Sequence, residues 1–75
     1  MRSLAGDFRN GDRVRVLSGE LAGEIGIVRY AHQQRDGVVV HMGCEVPASM
    51  RMYPNDSFRT RFVFLDPQLL EALNA

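Results

Sequence analysis

The chain of 75 residues has no lysine, one cysteine, no long apolar run and no net charge. Each shortage excludes something. The longest unbroken apolar stretch is Phe62-Val63-Phe64-Leu65, far short of the roughly 20 residues a membrane-spanning helix needs. Residues 1–7 contain no apolar core of signal-peptide length. The sole cysteine, Cys44, has no partner for an internal disulfide, which suits a reducing cytoplasm. Cys44, His32 and His41 lack the number and spacing of a structural zinc site, and neither a metal nor a cofactor is expected. Nine Arg stand against nine Asp plus Glu. The whole molecule therefore exerts no net pull on nucleic acid or a membrane surface, and no membrane partner is expected. Any nucleic-acid contact needs local clustering of charge.

What is present reads as one small domain. A chain this short buries only about 60% of its unfolded surface, so without disulfide or metal its core must be efficient or completed by a partner. A hydrophobic content of 45% is that of a folded chain. Residues 1–10 read as an N-terminal arm, a candidate for disorder, and residues 11–75 as the folded domain. After the turn signal Asn10-Gly11-Asp12, residues 13–17 alternate charged and apolar, with Val14 and Val16 facing inward and Arg13 and Arg15 outward. Residues 24–30 form a second strand, in which Gly26 signals a bulge or a close crossing. A polar loop with the hairpin signal Asp36-Gly37 leads to a third strand over residues 38–42. There Val38, Val40 and Met42 point one way, Val39 and His41 the other. Residues 50–53 read as a short strand. Residues 58–65 read as a longer one, with Phe58, Thr60, Phe62 and Phe64 on one face. Asp66-Pro67 has the form of a helix start, Asp as N-cap and Pro at the first position. Leu69, Leu70 and Leu73 would then make the apolar side of a helical turn or two.

The densest pattern is Gly11-Asp12-x-Val14-x-Val16-x-x-Gly19-x-x-x-Gly23-x-x-Gly26-x-Val28. Gly19 and Gly23 allow a tight reversal through positive φ, and Gly26 removes a side chain where the second strand bends over the first. These residues resemble the KOW motif of SH3-like barrels in ribosomal protein L24 and in elongation factors of the NusG and Spt5 type. The resemblance covers residues 11–28 closely and extends to the strand over residues 38–42. It implies an all-β, five-stranded antiparallel SH3-like barrel. It also implies a partner in RNA, DNA or a protein of a nucleic-acid machine.

The charges fall in blocks. Residues 1–19 hold Arg2, Arg9, Arg13 and Arg15 against Asp7 and Asp12, a net of +2. Residues 49–65 hold Arg51, Arg59 and Arg61 against Asp56, again +2, and the two remaining blocks are each −2. SH3-like barrels commonly pair the first strand with a late one. On that basis Arg13, Arg15, Arg59 and Arg61 are expected to form one outward basic stripe, with Arg29, Arg51 and Tyr30 as further contact candidates. The planar guanidinium fork binds two oxygens of a phosphate or carboxylate at once. Tyr30 and Tyr53 would add stacking surfaces if exposed. The bland alternative is a solvated face whose arginines pair with nearby carboxylates, each pair worth little.

No catalytic constellation stands out. His41 and Cys44 are three residues apart around Gly43, and a lone Cys behaves as a small hydrophobe. An enzymatic alternative comes from a second resemblance. Gly11-Asp12-Arg13-Val14-Arg15, Ser18-Gly19 and Ser49-Met50-Arg51-Met52-Tyr53-Pro54 are similar to segments of the type II dihydrofolate reductases, SH3-like chains that share one pore in a tetramer. The chain departs from them at Val16-Leu17, where that family carries lysines. It departs again at Met50-Arg51-Met52-Tyr53, where the family's pore carries Val-Gln-Ile-Tyr. A third class is an assembly module. Phe58, Phe62, Phe64, Leu69, Leu70 and Leu73 either complete the core or mark a partner or homo-oligomer surface. The expectation is a non-catalytic binding module in the cytoplasm.

Overall fold

A computed structural model describes residues 8–32 and 37–73, with the His32 side chain left aside. Asp36 of the Asp36-Gly37 hairpin signal and most of the N-terminal arm lie outside the described residues. Five strands appear: β1 (Arg13–Val16), β2 (Ile25–His32), β3 (Gly37–Met42), β4 (Phe62–Leu65) and β5 (Leu70–Ala72). They form one antiparallel sheet in the order β4-β3-β2-β1-β5, a ladder that does not close on itself. The strand count, the order and the absence of any α-helix among the described residues are those of a small SH3-like all-β domain.

The alternation in β1 acts as expected, with Val14 and Val16 buried and Arg13 and Arg15 exposed. The link to β2 reverses through Gly19 and Gly23 at φ of +90° and +86°, where any Cβ would be strained. Gly23 N donates to Val16 O at 2.7 Å, closing the loop at the end of β1. Leu21 folds back from this loop into the core. The core is mostly valine: Val14, Val16, Val28, Val38, Val40, Val46 and Val63, with Leu21, Met42, Leu65 and Leu70. Branched side chains suit a pleated sheet because they lose little rotamer freedom there.

Several expectations are corrected. Of the two alternatives for Gly26, the close approach holds: a Cβ there would lie 2.5 Å from Val40 Cγ1 and 2.9 Å from Met42 Sδ. The bulge in β2 falls instead at Arg29, between Val28 and Tyr30. Residues 50–53 do not form a strand: Met50 ends a 3-10 turn (Ala48–Met50), Arg51 makes an isolated bridge to Val63, and Met52 N donates to Phe62 O at 2.9 Å. The late strand starts at Phe62 rather than residue 58. Its Val63 and Leu65 face the core, so Phe62 and Phe64 share the other face and are half-buried. Of the six C-terminal apolar residues singled out, only Leu70 joins the core cluster. Asp66 does cap a helical turn, accepting a hydrogen bond from Gln68 N at 2.9 Å. That turn is a 3-10 turn of three residues (Pro67–Leu69), after which Leu70 enters β5.

The strand that pairs with β1 is β5, not β4; β2 and β3 separate β1 from β4. Strand pairing therefore does not bring Arg13 and Arg15 alongside Arg59 and Arg61.

Candidate functional site

The face of the sheet away from the core carries the chemistry. Register places Arg13 opposite Ile27, Ile27 opposite His41, and His41 opposite Phe62, so one row crosses four strands. At about 4.8 Å between strands, the row runs roughly 14 Å from Arg13 to Phe62. A second row sets Tyr30 opposite Val39 and Val39 opposite Phe64. Val39 is fully buried yet stands outside the core cluster, because it points to this face and not inward. The outer face thus has a small apolar floor of its own.

The bulge explains how Tyr30 comes to this face. In a regular strand Tyr30 would share the inward side of Val28. The extra residue Arg29 shifts the alternation, so that Tyr30 stands opposite Val39 and remains 43% exposed. There its hydroxyl is hydrogen-bonded to Tyr53, and this bond, more than burial, holds the Tyr30 phenol above its ordinary pKa. Tyr53 in turn meets Phe62 edge to face at 5.8 Å, and Phe62 meets His41 at 5.0 Å. The Phe64 ring covers Gly37, where a Cβ would strike it. An aromatic chain therefore runs from Tyr30 through Tyr53 and Phe62 to His41.

The arginines have unequal situations. Arg59 lies over the Tyr53 ring at 4.8 Å and pairs with Asp56 at 3.3 Å. Arg15 pairs with Glu71 at 3.0 Å, both side chains being about half exposed. Such surface pairs are worth little and exchange readily for a ligand oxygen. Arg61 donates to the Gly43 carbonyl at 3.2 Å, at the far end of β3. Arg51 donates to the Val46 carbonyl at 3.0 Å in a half-buried setting, so it braces a loop. Arg29 is exposed on the bulge beside Tyr30. Of the residues named from sequence, Arg13, Arg59 and Tyr30 thus lie on or beside the aromatic face, Arg15 one row away, and Arg51 and Arg61 at its margins. Sequence reasoning left out Tyr53, Phe62 and His41 as partners in one cluster. Period-two alternation from His41 and a strand start at Phe62 would have paired those two.

Cys44 is half-buried against the core, and burial first, then its hydrogen bond to Glu24, push the thiol pKa up. The His41 ring packs against Phe62 on the outer face. Among the described residues no cluster of three His, Cys, Asp or Glu side chains could hold a metal ion, and no helix is long and apolar enough to cross a membrane.

The fold is that of a small SH3-like β-domain whose outer face carries aromatic rings and arginines. Residues 10–41 match the family model of the KOW motif, which supports the resemblance to KOW-type, SH3-like domains. The match takes in β1, β2 and nearly all of β3, less than half of the chain. KOW motifs mark non-catalytic binding modules associated with nucleic acids and the ribosome. The likeness to type II dihydrofolate reductases gains no support from it. A comparison with curated proteins finds no match.

Proposed function

We propose that the protein is a non-catalytic module that binds nucleic acid, alone or within a ribonucleoprotein, through its arginine-bearing outer sheet face. The observation that carries the reading is the row Arg13-Ile27-His41-Phe62, flanked by Tyr30 and by Arg59 stacked on Tyr53. It combines cations for phosphate with rings for bases on one surface. A reducing cytoplasm suits the single free thiol. Fluorescence anisotropy of a labelled RNA against salt tests the reading. Wild type should bind at low salt, and log K should fall with log salt. Changing Arg13, Arg15, Arg59 and Arg61 to Ala should flatten that slope, by roughly 0.7 to 0.9 for each phosphate no longer neutralised. No binding at low salt, or an unchanged slope, overturns it.

A protein partner or a second copy of the chain is the other reading, and Leu17, 52% exposed just after β1, is the observation that favours it. Light scattering on the eluting protein separates monomer from oligomer.

A further inference from the structure

We infer that the outer face is a single-strand reader: unpaired bases stack on the rings of the loop and face, while a duplex is not held. The inference rests on the nucleic-acid reading above and names the ligand class of that same surface.

Two observations favour a single strand. The first is electrostatic. Duplex binding without base contacts depends on many neutralised phosphates, and this chain has zero net charge. Arg15 and Arg59 stand beside carboxylates, while Arg51 and Arg61 are tied to backbone carbonyls. The cations suffice to guide a backbone but not to clamp a duplex. The second is the supply of rings. Base stacking on aromatic side chains requires bases whose faces are open. Tyr30 and Tyr53 are joined at their hydroxyls, and Tyr53 contacts Phe62.

The loop between Tyr53 and β4 adds one more ring. Phe58 is 93% exposed, yet its backbone is held: Phe58 N and Arg59 N both donate to Asp56 Oδ1, at 2.7 and 3.1 Å. A large apolar ring is thus presented to solvent on an ordered turn, next in sequence to the guanidinium that covers Tyr53. Stacking with a base would cover it, and Arg59 would face the adjoining phosphate.

The chain has two tyrosines and no tryptophan, so its intrinsic fluorescence reports this surface directly. The experiment titrates the full chain with a 12-nucleotide single-stranded RNA and with a hairpin duplex of matched length. It follows tyrosine emission and, separately, anisotropy of a label on the RNA. The expected result is quenching by the single strand and affinity at least ten-fold tighter than for the hairpin. Phe58→Ala should weaken single-strand binding by roughly five-fold or more, with the salt slope unchanged, as loss of one stacked base predicts. Phe58 contributes nothing to the core, so this variant keeps the fold. Equal or tighter binding of the hairpin, absence of quenching, or an unaltered affinity in Phe58→Ala overturns the single-strand inference and leaves the nucleic-acid reading standing. Failure of both oligonucleotides to bind overturns both.

Discussion

The Arg59 guanidinium lies 4.8 Å from the centre of the Tyr53 ring while its Nε sits 3.3 Å from Asp56 Oδ2. One side chain thus joins an aromatic face to an acidic loop residue. The same carboxylate accepts two backbone N–H groups, of Phe58 and Arg59, through its other oxygen. Asp56 therefore has two separable jobs: one oxygen builds the turn, and the charge attenuates the cation the turn displays.

Asparagine separates those jobs, because it keeps an acceptor oxygen and drops the charge. Asp56→Asn should leave thermal stability within about 0.5 kcal/mol of wild type. It should also tighten RNA binding two- to five-fold, the fold-change equivalent of a surface pair worth up to about 1 kcal/mol. Asp56→Ala should instead cost about 1 kcal/mol of stability as the turn loses its acceptor. Melting curves and anisotropy on both variants check this. Weaker binding by Asp56→Asn would show that the carboxylate organises the arginine more than it offsets it.

A second prediction concerns the close packing at Gly26 in β2, opposite Met42 of β3. A methyl group at position 26 would lie 2.5 Å from Val40 Cγ1, and valine has little rotamer freedom with which to retreat. Gly26→Ala should destabilise by about 1–3 kcal/mol, as overpacking does. In a cycle with Val40→Ala, which vacates that space, the double variant should lose less than the sum of the singles by at least about 0.5 kcal/mol. Chemical denaturation gives all three values, and strict additivity would refute the clash.

The β1 pattern and the Gly19 and Gly23 reversals were legible because each is local: alternation sets faces, and glycine sets the sign of φ. The outer aromatic cluster was not legible, for a physical reason. Tyr30 reaches it only because Arg29 is extruded as a bulge, and a bulge breaks the period on which face assignment depends. Phe62 and Phe64 carry more hydrophobic area than Val63 and Leu65, so composition points the phenylalanines inward. Pairing with β3 sets the opposite choice, because Val40, a core residue, faces Val63 across the ladder. The arginine stripe required knowing which late strand meets β1. The three-residue β5 is too short to show a period, and the Asp66-Pro67 helix start conceals it.

The tyrosine pair yields a spectroscopic prediction. Tyr30 resists ionisation chiefly through its hydrogen bond to Tyr53. An alkaline titration followed at the phenolate absorbance should therefore show Tyr30 ionising above the ordinary tyrosine value of about 10. Tyr53→Phe removes the partner hydroxyl and should bring Tyr30 back toward that value. A Tyr30 titration unmoved by Tyr53→Phe would mean that burial alone raises it.

Cys44 supplies the last prediction, with a definite sign. Burial, and after it Glu24, raise the thiol pKa in the folded chain, so folding favours the protonated form. The associated stability is present below the unfolded thiol's value, about 8.5, and is lost as pH rises through the raised folded value. Stability should thus begin to fall near pH 8.5, before tyrosine ionisation contributes. Cys44→Ala should remove that early part of the loss, and Glu24→Gln should shift it back toward the ordinary thiol range. In the native protein, alkylation by iodoacetamide at pH 8 should be slower than for a free cysteine and faster in Glu24→Gln, since only the thiolate reacts. Native-state alkylation as fast as that of a free thiol would place Cys44 in solvent and contradict its packing against the core.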